Sequence, residues 1–246
     1  MIYRLDLAEA ARGNEQLLGA RQVWLTLFAM AIAALLVWVL KNHMTLKRFT
    51  YIAMVAGILT LLLPMLPVIG TTINGARLWI SIGELTFQPG EIAKLLLVVF
   101  FAGYLTKHRD SLSLIGKKIW GVRIPRARDL GPLLLVWVAS LGVLVLQRDL
   151  GTSLLYFGIF LALLYVATGR GFYAAIGIGM IITAGLVASQ LLGYVGNRFD
   201  SWLNPFVQEN YSGVGGSYQL VQGLFGMAHG GILGTGLGGG YPQLVP

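Results

Sequence analysis

Cysteine is absent from the 246 residues, and charged residues make up only 11% of them. The first absence excludes disulfides, thiolate metal sites and cysteine nucleophiles. The second is less than half the roughly 25% charge of an ordinary soluble domain, which argues against a soluble globular enzyme. With 56% hydrophobic residues, intrinsic disorder is excluded as well. What remains is a mean hydropathy of +0.74, the value of a polytopic membrane protein. A spanning helix takes ~20 apolar residues, so the length allows about six or seven spans with short loops. The net charge of +8 would raise nucleic acid as a partner for a soluble protein. In a membrane protein it reports topology first, and no nucleic-acid partner is expected.

Six apolar stretches follow one another: Val23–Leu40, Tyr51–Ile69, Ile92–Thr106, Leu130–Gln147, Ser153–Thr168 and Phe172–Val195. No polar face accompanies them, so they read as transmembrane helices of one all-α domain over 1–246. The connecting segments are an outer loop at 70–91, a basic cytoplasmic loop at 107–129 and an outer Gly-rich loop at 196–246. Orientation follows from Lys and Arg. Lys41, Lys47, Arg48, Lys107, Arg109, Lys117, Lys118, Arg123, Arg126, Arg128 and Arg170 gather on one side, which is therefore cytoplasmic. Arg4, Arg12 and Arg21 would then lie outside with no signal peptide before them, so an internal piece of a longer membrane protein is expected. In the last loop, twelve glycines fall among the 28 residues Gly213–Gly240, and Tyr218–Leu233 is apolar enough to re-enter the membrane.

With only ten acidic residues, each can be weighed. Asp149 stands in the hairpin QRDLGTS at the outer end of the fourth stretch. An ionisable group at membrane depth usually serves a site; the alternative is a helix cap paired with Arg148. Glu91 and Lys94 are three apart at the start of the third stretch, on one helix face with Gln88. They either serve a site or neutralise each other so that the helix can begin inside the membrane. Pro89 suits a first helical turn. Arg77, in NGARLW, either grips phosphate or snorkels to headgroups. No nucleotide-binding loop is present: GLGGG has no strand before it and no Lys-Ser/Thr after it. Acid and base groups gathered at one membrane surface suit an amphiphilic substrate, such as a lipid diphosphate whose head is transferred.

Three segments carry a resemblance. NGARLWISIGELTFQPGEIAKLLL resembles the first large outer loop and following helix of the SEDS family, the RodA/FtsW/SpoVE group. QRDLGTSLL resembles the family's Asp-Leu-Gly-Thr turn, and SYQLVQGLFGMAHGGILGTGLGGG its long outer loop. The basic loop and TTINGARLW look most like actinobacterial members of the RodA branch. The family has ten spanning helices, and this chain is similar to the second through the seventh.

The resemblance implies a peptidoglycan glycosyltransferase that polymerises lipid II at the outer face of the bacterial cytoplasmic membrane, in elongation or division. It implies a class B penicillin-binding protein as transpeptidase partner. Asp149 matches the family's essential aspartate, as general base or as ligand of a divalent cation (Mg or Mn). Glu91 and Lys94 match its Glu-x-x-Lys pair; Arg77 matches more loosely. Lys94 and Arg77 would bind the diphosphate, with Arg148 beside Asp149. Arg148 departs from the family pattern, since many members have Pro there. The competing readings are a lipid-linked precursor flippase and a non-catalytic partner of a transpeptidase.

Overall fold

Within a bilayer every backbone N–H and C=O must find its partner inside the chain, so apolar runs of this length fold as helices. The computed structural model describes residues 18–236, apart from 41, 43, 68, 74, 75, 84, 114, 115, 120, 121, 126 and 213–215. Arg4, Arg12, Arg126 and the last residues of the Gly-rich loop lie outside that set. Among the described residues, five helices are long and apolar enough to cross a membrane. They are α1 (Leu18–Val39), α4 (Pro89–Lys107), α6 (Ala127–Leu146), α7 (Leu150–Thr168) and α8 (Gly171–Leu191). Of these, α1, α4, α6 and α7 fall on expected spans, with ends displaced by a few residues.

Two expected spans differ more. The second, placed at 51–69, is the helix α3 (Thr50–Leu62) followed by a 3-10 turn, Leu63–Met65. Pro64 stands at the start of that turn, where its missing N–H ends the α-helical ladder. The apolar helix Thr50–Met65 is therefore shorter than the other five. The sixth, placed at 172–195, ends at Leu191, because Leu192 is extended (φ −116°, ψ 104°) and α9 (Gly193–Leu203) begins after it. Gly196 makes this corner: a Cβ there would stand 2.9 Å from the Ser189 carbonyl oxygen.

The loops are more ordered than loops read from composition. Segment 70–91 holds an antiparallel sheet, β1 (Gly70–Ile73), β2 (Ala76–Ile82) and β3 (Leu85–Phe87), paired in that order. Thr71 faces Trp79, and Ile80 faces Phe87. Segment 107–129 holds the short helix α5 (Arg109–Ser113) and a hairpin of β4 (Gly116–Ile119) with β5 (Val122–Pro125). A short helix, α2 (Met44–Arg48), precedes α3.

The chain divides into two compact units. Asn42–Ile182 contains the core. In α4 the buried residues Ala93, Leu97, Phe100, Phe101, Tyr104 and Leu105 form one stripe at helical spacing. Trp137 of α6 stacks on Phe160 of α7 at 4.7 Å, and Phe101 meets Phe160 edge-on at 5.5 Å. In lipid, helices associate by close packing rather than by leaving water, so small residues matter at contacts. A Cβ on Gly57 would press on Leu97 at 3.0 Å, and one on Gly103 would collide with Thr50 Oγ1. These two glycines let α3 and α4 approach.

The other unit comprises Met1–Lys41 and Thr183–Pro246. Its α9, α10 (Gln208–Ser212) and α11 (Tyr218–Gly230) build the Gly-rich segment. Asn210 Nδ2 donates to the carbonyls of Asp200 and Asn204. Buried Ser217 donates through its hydroxyl to the Pro205 carbonyl, 2.5 Å away. The segment expected to re-enter the membrane, Tyr218–Leu233, is helical over Tyr218–Gly230.

Candidate active site

Helix α6 ends where the hairpin must reverse within two residues. Arg148 N–H donates to the Val145 carbonyl and Asp149 N–H to the Leu144 carbonyl. This crossed pair is a Schellman closure, which requires a left-handed residue just past the helix. That residue is Arg148, at φ 60°, a conformation usually left to glycine. Proline, common here in the resembling family, is locked near φ −65° and could not make this turn. Gln147, buried in the same turn, donates from Nε2 to the Leu61 carbonyl at 2.6 Å and ties the hairpin to α3.

The reversal delivers Asp149 to the N-cap of α7. Its Oδ1 accepts from Thr152 N–H at 2.9 Å, and its carbonyl accepts from the Ser153 hydroxyl at 2.6 Å. Capping and function were alternatives for Asp149 in the sequence. The geometry makes the first true without opposing the second, because the carboxylate is only partly buried and has a second oxygen.

Helix α4 begins beside α7. Gln88 is extended, Pro89 takes the first turn, and Glu91 follows in that turn, where the helix dipole favours a negative charge. Lys94 Nζ donates to Glu91 Oε2 at 2.7 Å. The lysine side chain is 21% exposed and the glutamate 58%, so the pair faces the surface from its carboxylate side.

Tyr156 joins the two helices. Its hydroxyl, buried, donates to the Gly90 carbonyl at 3.0 Å. It lies within electrostatic reach of both Glu91 and Asp149. Lys94 and Tyr156 line one small crevice along the α4–α7 seam. The structure thus brings Asp149, Glu91, Lys94 and Tyr156 to the paired starts of two helices. Tyr156 went unremarked in the sequence, although it follows Asp149 by seven residues, on one helix face with Thr152 and Ser153. From the hairpin an open apolar groove of about 540 Å³ runs along α7, lined by Gly151, Leu154, Leu155, Gly158, Ile159 and Ala162.

Arg77 is directed elsewhere. From β2 its Nη2 donates to the carbonyls of Leu66 (3.2 Å) and Gly70 (3.3 Å), and its Nε is buried without a partner. The guanidinium packs so closely that a Cβ on Gly70 would stand 2.9 Å from Nε. Its present work is to hold the sheet against the end of α3.

Among the described residues no group of three or more His, Asp or Glu side chains converges as a metal site. The donors present are carboxylate oxygens, which suit a hard cation that takes its remaining ligands from water or phosphate.

The chain is similar to known proteins over its whole length. It is 42% identical to the peptidoglycan glycosyltransferase RodA of Mycobacterium tuberculosis, covering 100% of this chain and 52% of that protein. It is 31% identical to the probable peptidoglycan glycosyltransferase FtsW of Methylomonas methanica over 77% of this chain and 45% of that protein. A solved peptidoglycan synthase complex, described as coordinating polymerization and crosslinking, matches with a TM-score of 0.51 and 30% identity over 73% of this chain and 50% of that one. The chain therefore spans about half the length of the curated relatives it matches. The model of the FtsW/RodA/SpoVE family of cell cycle proteins matches residues 1–245, and the chain belongs to that family.

Proposed function

We propose that the protein is a peptidoglycan glycosyltransferase that polymerises lipid II, with Asp149 as its catalytic residue at the outer face of the membrane. The observation that carries this reading is the convergence of Asp149, Tyr156 and the Glu91–Lys94 pair where α7 and α4 begin. The names of the relatives support the reaction class. The apolar groove that starts two residues from Asp149 supports a substrate with a lipid tail.

In this reaction the 4-hydroxyl of an incoming N-acetylglucosamine attacks the anomeric carbon of a lipid-linked muramic acid sugar. The new glycosidic C–O bond forms as the bond from that carbon to the undecaprenyl diphosphate breaks, and the diphosphate leaves with the electron pair. Asp149 takes the hydroxyl proton through the carboxylate oxygen that does not cap the helix. Positioned proton transfer of this kind gives ~10²–10⁴-fold. Lys94, oriented by Glu91, and Arg148 face the diphosphate charge as it develops, an electrostatic aid that works because it is fixed beforehand. Arg77 acts at one remove, by holding the outer loop. In the alternative to the base role, Asp149 would hold a divalent cation such as Mg²⁺ or Mn²⁺, which would supply charge neutralisation at the diphosphate. The transpeptidase that crosslinks the product is a class B penicillin-binding protein in the membrane.

The test is lipid II polymerisation by the purified full-length protein and by Asp149→Asn. Asn caps helices as well as Asp, so the hairpin persists. Loss of chain growth by ~10²-fold or more is expected. Equal rates would remove Asp149 from the chemistry. Transbilayer movement of lipid II without chain growth would favour the flippase reading.

A further inference from the structure

The opposite end of the first unit holds a second polar pocket that the glycosyltransferase chemistry does not use. It measures about 280 Å³ and is lined by residues of α2, α3 and α4. Its floor forms where Gly103 closes on Thr50. Lys47 and Lys107 enter it from two helices, with Tyr51, Tyr104 and Thr106 between them. Lys107 Nζ lies 5.9 Å from the centre of the Tyr51 ring. Among the described residues, the lining contains two cations and no carboxylate. Asp129 is the acid near Tyr104, whose hydroxyl donates to the Asp129 backbone carbonyl at 2.9 Å. This is also the side on which the basic residues of the sequence gather.

We propose that this pocket binds the phosphate headgroup of an anionic phospholipid in the leaflet on the basic side. The hydroxyls of Thr50, Tyr104 and Thr106 donate to backbone carbonyls, so the anion's donors are the two ammonium groups and the Tyr51 hydroxyl, a set that suits a phosphodiester. The pocket falls just under the ~300–1,000 Å³ of sites that enclose a drug-sized ligand, which fits a headgroup and not a whole amphiphile. The rest of the amphiphile has a path. Ile52, Val55 and Leu59 form an exposed apolar line on α3 (64%, 51% and 59% exposed) that leads away from the pocket along the helix. A free phosphate would use the lysines and leave that line unused. Basic pockets between membrane helices on this side are suited to anionic headgroups, at about five-fold in affinity per lysine.

The test is native mass spectrometry of the full-length protein in detergent with phosphatidylglycerol, phosphatidylcholine or inorganic phosphate added. The expected result is retained phosphatidylglycerol that phosphatidylcholine does not match and inorganic phosphate does not displace. Lys47→Gln/Lys107→Gln should weaken it by about 25-fold. Lys47→Arg/Lys107→Arg should hold it within about two-fold, since charge is kept. Lys117→Gln/Lys118→Gln, which removes the same charge from β4, should also stay within about two-fold, since salt screens charge that does not touch the headgroup. Equal losses in both glutamine pairs would overturn the proposal in favour of a diffuse basic surface. Displacement by inorganic phosphate would overturn it in favour of a free-anion site. Loss in the arginine pair as large as in the glutamine pair would show that charge is not what the site reads.

Discussion

Two lysines on the same helix have different fates. Lys94, near the start of α4, is bonded to Glu91 at 2.7 Å and is 21% exposed. Lys107, in the last turn, is exposed and rests over the Tyr51 ring beside a pocket without carboxylates. At the first end, Glu91 holds Lys94, the Thr152 N–H holds Asp149 and the Gly90 carbonyl holds the Tyr156 hydroxyl. At the second, cations accumulate with little opposing charge. A reaction that develops charge at one atom needs groups fixed before it starts. A headgroup pocket needs its cations at one place but not fixed for a chemical step, and tolerates mobile side chains. The contrast fits the proposed chemistry at the starts of α4 and α7 and the proposed headgroup site at the end of α4.

The largest expected effect is at Asp149. Asp149→Asn and Asp149→Ala should both abolish polymerisation by ~10²-fold or more. Only the alanine variant should also lose about 1 kcal/mol of stability, because only it removes the cap. Activity assays alongside unfolding of the detergent-solubilised protein separate the two roles. Next is Lys94→Gln, expected to raise the KM for lipid II about ten-fold, the effect of one lost charge-assisted contact. Its stability should move by only a few tenths of a kcal/mol, as for any exposed i,i+3 pair. Lys107→Gln should leave polymerisation unchanged; a matching rise in KM would erase the distinction between the two ends. Tyr156→Phe leaves the buried Gly90 carbonyl without its donor, at about 1–3 kcal/mol, and should lower the unfolding temperature. A neutral result would mean that the α4–α7 seam does not depend on this bond. The last pair of variants tests the turn at Arg148. Arg148→Gly relieves a left-handed residue and should stabilise by about 1 kcal/mol. Arg148→Pro at the same position should destabilise, since proline cannot reach φ 60°.

The candidate site was legible in the sequence to the extent that its residues are scarce. An acid in a membrane hairpin, and a Glu-x-x-Lys at the start of an apolar run, stand out where charge is 11% of the chain. Tyr156 did not stand out, because a tyrosine in an apolar helix reads as packing until its hydroxyl is seen to reach Gly90 across the seam. Arg77 read as a phosphate ligand because arginine at an outer surface has that chemistry. Its use on the carbonyls of Leu66 and Gly70 depends on how β1 and β2 fold back on the end of α3. The strands of 70–91 were missed for a related reason: short strands among glycines and turns carry little periodic signal. At the end of the sixth stretch, apolar residues continue to Val195, but the corner is set at Leu192 and Gly196 by backbone contact.

The sequence by itself determined that this is a helical membrane protein, where its apolar runs lie, which connecting segments are basic and how few ionisable groups lie at the ends of those runs. Those properties follow from the transfer of side chains and peptide groups into lipid, which composition and order along the chain settle. Only the tertiary structure decided what each group touches. The closure at Arg148 aims Asp149, Tyr156 bridges α7 to α4, Arg77 turns into its own loop, and Gly103 closes on Thr50 beneath two lysines. Each depends on distances between segments far apart in the chain, set by helix packing and turn geometry rather than by local composition.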